Sequence, residues 1–468
     1  MIYIVGAGPG DAGLLTLRGY EVLKRADAVI YDNLVGDGIL SLIPENAEAI
    51  DAGKTAGNHK LSQDEINAKM TALSRSGKNV VRLKGGDPYI FGRGGEEAEA
   101  LTEAGIDFEV VSGVSSAFGV PSYAGIPVTH RNYSSGVNIF TAHDKNNLIP
   151  DFNNVTSIFL MGVGNAEMLQ MKLLETMPAE TPCAIIENGT TSKQRVIRTT
   201  LSQLYTSVVS NNIQPPSIIV TGKVAGLNLS WRENLPLNGK RIIITRPEGR
   251  ADELALKLRD LGAEVILLPT IKTSILHGSL DDVKLSGYDW IGFTSVTGVN
   301  ALFELLSETG RDIREIGNAK ISAIGSATKD ALNLHGLKVD YMPEIFDGFH
   351  MAEGLSKFGG KILMFRSENG TPEINSVFMK YGIEAENICI YRTDYVKLCK
   401  VPELADIIIF TSSSTVKGFC ANTEALHEAT ALCIGKQTAE EAMKSGFTRI
   451  KVAEQAVTKS LLEACINI

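Results

Sequence analysis

The chain has 468 residues, of which 44% are hydrophobic and 21% charged, with a formal net charge of −9. That length accommodates about three domains at roughly 150 residues each, and the composition is that of an ordinary globular protein. The acidic balance argues against a nucleic-acid binder that works by neutralising phosphates. No apolar run is long enough to cross a bilayer, and no basic, apolar leader precedes the first strand. The six cysteines show neither C-x-x-C nor C-x-x-H spacing. A cytoplasmic protein with no metal site, no disulfide framework, no nucleic-acid partner and no membrane partner is therefore expected.

In chain order, residues 2–5 form a short apolar run, GAGPGDAG follows at 6–13, and a helical pattern begins at Leu14, Leu17, Val22 and Leu23. This is strand, glycine turn, helix. The dinucleotide fingerprint G-x-G-x-x-G wants a small residue where this chain has Asp11, and Pro9 sits inside the turn, which weakens a Rossmann reading. A second run, 28–31, ends at Asp32, where an α/β fold presents side chains to a cleft; a helix cap is the other reading of that carboxylate. The run 80–83 leads into RLKGGDPYIFGRGGEE at 82–97. Glycine at 85, 86, 92, 94 and 95 lets the backbone turn tightly and approach a ligand, and Asp87 offers a carboxylate to hydroxyl groups. Two plain surface turns are the alternative.

Further runs at 108–111, 138–141, 157–161, 182–186 and 217–220 alternate with amphipathic stretches, which makes the class α/β. Ser115 and Ser116 follow one run at a position equally suited to helix capping. Met161 ends another and reads equally well as core. Arg93 and Arg131 carry guanidinium forks suited to carboxylates, with surface ion pairing as the competing reading. His130 is given no role.

Periodicity lapses over WRENLPLNG at 231–239, which places a boundary near Leu237. Beyond it the sequence repeats. GKRIIITRPEGRADELALKLRDLGAEV from Gly239 is echoed from Gly359, WIGFTSVTGVNAL from Trp290 is echoed from Ile407, and SAIGSATKDALNLHGLKV from Ser322 is echoed from Leu432. Two similar α/β lobes follow, and two copies are too few for most solenoids. Hydroxyl-bearing turns recur at Thr294 and Ser295, Ser326 and Thr328, Thr411 to Ser413, and Thr438. At helix N-termini such turns attract carboxylates or simply cap the helix.

The first-half segments GAGPGD, YDNLV (31–35), GK (53–54), RLKGGDPYIFGRGGEE, SGVSSAFGVPSYAGIPVTHR (112–131), MGVG (161–164) and ENGT (187–190) together resemble the tetrapyrrole methyltransferases, specifically the uroporphyrinogen-III C-methyltransferases. The second half resembles uroporphyrinogen-III synthase over its full length, with looser motifs: TSV and TSS stand where related enzymes often have T-S-P, and GKQT replaces a small-residue turn. The resemblance implies an α/β fold in which a two-lobed tetrapyrrole methylase module, 1–237, precedes a two-lobed synthase module, 238–468, of flavodoxin-like lobes. One lobe comprises 239–272 plus 394–468, the other 273–393.

The resemblance also implies an S-adenosyl-L-methionine site lined by Pro9, Gly85, Gly86, Asp87, Ile90, Ser115, Ser116, Met161 and Gly189, with Asp32 as proton acceptor and Lys54 as proton donor. Arg93 and Arg131 then meet substrate carboxylates. In the synthase half, which needs no cofactor, Tyr391 is the weak acid, and Arg246, Arg366, Arg392, Thr294, Ser295, Thr328, Thr411, Ser412 and Thr438 are substrate contacts. The expected function is closure of hydroxymethylbilane to uroporphyrinogen III and its double methylation to precorrin-2, for cobalamin or sirohaem, in a homodimer formed through the first half. The alternatives are a methylase of a later corrin precursor and a second half that binds tetrapyrroles without catalysis.

Overall fold

The structure, a computed structural model, describes residues 1–53, 61–141, 155–247, 252–370 and 372–468. Four five-stranded sheets carry the fold. β1 (Ile2–Gly6), β2 (Ala28–Tyr31), β3 (Glu48–Asp51), β4 (Val80–Lys84) and β5 (Phe108–Val111) form the first, in the order β3-β2-β4-β1-β5, and every pairing is parallel. β1, β2 and β4 are buried almost throughout because helices cover both faces of a parallel sheet, so their sequences run apolar without alternation.

β6 (Gly136–Thr141), β7 (Val155–Leu160), β8 (Pro182–Glu187), β9 (Arg195–Thr200) and β10 (Ser217–Thr221) form the second sheet, ordered β6-β7-β10-β8-β9. Only β6 and β7 pair in parallel there.

β11 (Arg241–Ile244) and β12 (Glu264–Leu267) begin a third sheet. The chain then leaves to make β13 (Ile271–Ile275), β14 (Trp290–Phe293), β15 (Lys320–Ala323), β16 (Ile362–Ser367) and β17 (Ala385–Tyr395). It returns as β18 (Ile407–Phe410), β19 (Thr430–Cys433) and β20 (Ile450–Val452) to complete the order β12-β11-β18-β19-β20, all parallel. Numbered within the lobe this is 2-1-3-4-5, the flavodoxin-like order. The fourth sheet, β13-β17-β16-β14-β15, repeats the first four positions as β17-β16-β14-β15, all parallel, and differs in adding β13 at the opposite edge from the fifth position, antiparallel to β17.

The repeat reaches the backbone. Ser295 and Ser412 cap equivalent helices at φ −166°, and Gly325 and Gly435 cap the next pair at φ −170° and −166°.

Contacts divide the chain into two compact units, Met1–Thr270 with Lys397–Ile468, and Ile271–Val396. Within the first unit, the segment that lost its periodicity is packed. Trp231 donates its indole N–H to the Ser122 carbonyl (3.1 Å) and meets Tyr123 edge to face. Arg232 is buried over the Tyr123 ring and lies 3.7 Å from Asp11, and Leu237 is buried in the core built on β11 and β12. Among the described residues no helix is long and apolar enough to cross a membrane, and no cluster of His, Cys, Asp or Glu could hold a metal.

Candidate active site

In a parallel sheet the loops after the strands open on one edge, and that is where the first-half residues gather. The turns after β1 and β4 are tied by a reciprocal pair of bonds, Gly8 N–H to the Gly86 carbonyl (3.1 Å) and Gly86 N–H to the Gly8 carbonyl (2.7 Å). The turn after β5 joins them, because Asp87 Oδ2 accepts the Gly113 N–H at 3.0 Å, while Oδ1 accepts that of Tyr89 at 2.8 Å. Pro9 lies near Gly119 of the helix Ser116–Tyr123, which Ser115 caps through the Ala117 N–H.

From the second sheet comes the turn after β8. Gly189 abuts Val120 so closely that a Cβ there would lie 2.3 Å from a valine methyl, and Thr190 Oγ1 accepts the Asp11 N–H. The structure thus brings together Pro9, Gly85, Gly86, Asp87, Ser115, Ser116 and Gly189. Ile90 and Met161 are exposed, not core.

Among the described residues seven non-glycines have positive φ; Phe91, Arg93, Asn188 and Thr190 lie on the turns after β4 and β8, and Met161 directly follows β7. Bulky or β-branched residues pay strain in that region, and such strain concentrates at functional sites. No sequence signal announces it.

Asp32 follows β2, beside β4. It caps no helix; its carboxylate is held by two cations of β4, with Arg82 Nη2 at 2.5 Å from Oδ1 and Lys84 Nζ at 3.6 Å from Oδ2. Both cations return to Glu97 Oε1, at 2.9 and 3.0 Å. Arg82, Lys84 and Glu97 are functional candidates that the reading of the sequence passed over inside the glycine run. The signal available was two charges at spacing two within a strand otherwise apolar. Gly113 was passed over as well. Lys54 lies outside the described residues.

Arg93 is exposed and forks onto Glu96 at 3.0 Å or less, and Arg131 is exposed on the loop before β6.

Glu187 opens the ENGT turn. It is buried, with Arg195 Nε at 2.5 Å and the Gln214 N–H at 2.7 Å. The Arg195 hydrogen bond, helped by Gln214, holds its carboxyl below the usual range against the opposing effect of burial. A carboxyl whose folded value is depressed contributes stability that is present above its unfolded value, about 4.3, and is lost as the pH falls through the lower folded value. Glu187→Gln is therefore expected to lose less stability than the parent between about pH 5 and pH 3, measured as urea midpoints against pH. A parallel pair of curves would refute the role of Glu187 as an ionised anchor of this turn.

In the second unit Tyr391, on β17, is buried, and its phenol lies 2.8 Å from Ser295 Oγ, which also caps the helix Val296–Thr309 by accepting the Gly298 N–H. Two residues singled out in the sequence thus meet, with Thr294 beside them at the end of β14. Arg366 does not reach out as a substrate arm would: it is buried, with Nη1 on Asn375 and Asn387, and burial pushes its guanidinium down from the ordinary value. Thr328 and Thr438 are not exposed hydroxyl turns either. Glycine occupies the cap of each helix, which leaves the threonine on the inward face of the first turn, buried. Arg392 pairs with Asp394 at 3.1 Å.

In the first unit Ser412 caps the helix Ser413–Cys420 through a capping box with Thr415, and Thr411 and Arg246 follow β18 and β11 at the carboxyl edge of their sheet.

The fold defines a two-module α/β protein whose first module gathers glycine turns at one edge of its parallel sheet. A family model described as Tetrapyrrole (Corrin/Porphyrin) Methylases matches residues 1–205, and one described as Uroporphyrinogen-III synthase HemD matches residues 252–463. The porphyrin biosynthesis protein HemD of Ruminiclostridium josui is 39% identical over 495 residues, which span 100% of this chain and 98% of that protein. A siroheme synthase of Escherichia coli is 48% identical over 241 residues, 50% of this chain and 52% of that enzyme. Among solved structures, a uroporphyrin-III-C-methyltransferase from Thermus thermophilus is 39% identical, covering 49% of this chain and 96% of its own, at a TM-score of 0.43. The chain belongs to the HemD family of porphyrin biosynthesis proteins, as a bifunctional enzyme with a tetrapyrrole methylase domain followed by a uroporphyrinogen-III synthase domain.

Proposed function

We propose that the second half closes hydroxymethylbilane to uroporphyrinogen III and that the first half methylates this product twice to precorrin-2, in the cytoplasm, for cobalamin or sirohaem synthesis. The observation that carries the methylase reading is the convergence of the turns after β1, β4, β5 and β8 in a chain whose Asp32 carboxylate stands at the same sheet edge.

When bound, S-adenosyl-L-methionine supplies an electrophilic methyl group. The residues present fit it. Each Asp87 oxygen makes one backbone bond and keeps lone-pair capacity for ribose hydroxyls, and the glycine turns expose backbone amides without side chains in the way. With the donor bound, the ring carbon's electron pair would form the new carbon–carbon bond as the methyl–sulfur bond breaks and its electrons stay on the departing thioether, and Asp32 would take the proton that the ring then releases, once per methyl. Arg93, by exchanging Glu96 for a substrate carboxylate, and Arg131 hold the macrocycle's acidic arms. Orientation supplies most of the acceleration.

In the second half, Tyr391 donates its phenol proton to the departing hydroxyl while Ser295 fixes the ring's direction. A homodimer through the first half accords with the exposed apolar side chains of Met168, Met171, Leu174 and Val209 on two of its helices.

The test is to supply hydroxymethylbilane and then S-adenosyl-L-methionine to the full chain. Uroporphyrinogen III followed by a doubly methylated product is expected, and Asp32→Asn is expected to cut methylation by about 10²- to 10⁴-fold while leaving cyclisation intact. Absence of uroporphyrinogen III would make the second half a binding module. An unmethylated ring would assign the first half to a later corrin precursor.

A further inference from the structure

The four charges of the Asp32 cluster pose a physical problem. Arg82, Lys84 and Glu97 have side-chain exposures of 2%, 3% and 0%, and Asp32 of 32%. Removing ions from water costs several kcal/mol each, and well-packed apolar residues of similar size are often as stabilising or more so. Stability is thus a weak reason for the cluster.

Its wiring is asymmetric. Each Asp32 oxygen has its own cation, whereas both cations share the single oxygen Glu97 Oε1, which also accepts from Gln63 Nε2 at 3.1 Å. Glu97 Oε2 is buried with no hydrogen-bond partner among the described residues. Arg82 is further pinned by donating to the Ile30 carbonyl on β2. The remaining charges nearby add little imbalance. Tyr31, pushed up to about 12 by burial and then by Asp51, is a neutral phenol at physiological pH. Glu96 senses Lys84 but is exposed and paired with Arg93, and Asp51 turns to the Gly53 N–H.

Two cations against one carboxylate leave an excess of positive charge unless a second negative charge is subtracted from them. Glu97 supplies that subtraction, and Lys84 and Arg82 fix the direction of the two oxygens. We propose that Glu97 and Lys84 are positioning residues of the methyl-transfer site, which set the charge balance and orientation of the Asp32 carboxylate from beneath the sheet edge. The inference rests on Asp32 as proton acceptor.

Glu97→Gln leaves two cations against Asp32, and Lys84→Met leaves one cation between two carboxylates. The variant with both changes restores neutrality with Arg82 and Asp32 alone. In single-turnover methylation of uroporphyrinogen III by the full chain, each single variant is expected to lose about 10- to 100-fold in rate. KM for the tetrapyrrole and Kd for S-adenosylhomocysteine, measured by calorimetry, should hold within about twofold, with synthase activity as the check on folding. The double variant should be about tenfold faster than the product of the two single losses would leave it, because the residues act through one balance of charge.

Losses that multiply without rescue, or that fall equally on rate and on S-adenosylhomocysteine affinity, would make the cluster a structural pillar and overturn the proposal. So would parental rates in either single variant while Asp32→Asn is inactive. Full activity in Asp32→Asn would instead remove the reading of Asp32 on which the proposal stands.

Discussion

Gly113→Ala is expected to lower the affinity of the first module for S-adenosylhomocysteine by about 100-fold or more, equivalent to roughly 3 kcal/mol. A Cβ on Gly113 would lie 2.3 Å from the Gly86 carbonyl oxygen and 2.7 Å from the Gly6 carbonyl carbon. Real Cβ atoms do not approach so closely, and both neighbours are backbone, so no side-chain rotation relieves the clash. Overpacking of this kind costs about 1–3 kcal/mol and sometimes more, and here the strain is discharged by parting the turns after β1, β4 and β5. Those are the turns proposed to hold the methyl donor.

Gly95→Ala is the control. Gly95 lies in the helix Gly94–Glu103, a Cβ there meets nothing within 4 Å, and the change is expected to raise stability by about 0.5–1 kcal/mol. Calorimetric titration with S-adenosylhomocysteine and thermal melts of both variants decide the matter. Binding by Gly113→Ala within threefold of the parent would show that the close convergence of these turns is not what forms the site.

The contrast between these two glycines shows what the sequence does and does not disclose. Composition marked the whole run 82–97 as a loop, whereas Arg82 to Lys84 finish β4 and Gly94 to Glu97 open a helix; the apolar runs located β2 and β5 to the residue. Composition treats all glycines alike, however, and only the packing of three strand ends distinguishes Gly113, crowded on both sides, from Gly95, which is open. The edge strands β3 and β9 escaped detection for a related reason. Their burial is partial, so EAID and RVIRTT mix polar and apolar residues without a clean period.

Buried charge was hardest to foresee. Arg82 and Lys84 look like ordinary solvated cations until Glu97 and Asp32, far from them in sequence or on another element, are seen to close around them. The synthase half shows the reverse. Its hydroxyl residues stood out by recurrence, yet two of them, Thr328 and Thr438, prove to be inward-facing because the glycine caps were overlooked. The break in periodicity at 231–239 was a packed strap whose irregular backbone serves Trp231, Arg232 and Leu237.

Arg241→Met is expected to destabilise the first unit by about 3 kcal/mol, as the one-sided removal of a buried ion partner does. Arg241, at the start of β11, reaches Asp37 Oδ2 at 3.2 Å with one guanidinium nitrogen and Glu264 Oε1 at 2.8 Å with another. All three side chains are at most 20% exposed. Asp37 begins the helix Asp37–Leu40, five residues after Asp32, and so belongs to the methylase module, while Arg241 and Glu264 belong to the first synthase lobe. Glu264 is also bound from the methylase side by the N–H and hydroxyl of Ser192 at 2.7 and 2.6 Å, and Lys400 stands 3.4 Å from Asp37.

Without Arg241 two carboxylates remain near one another, with Lys400, 39% exposed, the one cation among the described residues paired with either. The loss therefore includes repulsion as well as a missing bond. Arg241→Met combined with Asp37→Asn should recover about half of it, since the excess negative charge is halved. Because Asp37 tethers the far end of the turn that carries Asp32, Arg241→Met should also slow methyl transfer more than it weakens S-adenosylhomocysteine binding. Two modules joined only as beads on a string would show a near-neutral Arg241→Met in both urea midpoint and methylation rate, since an exposed ion pair is worth at most about 1 kcal/mol. A change below that size would separate the methylase from the lobe that, in this chain, completes its flank.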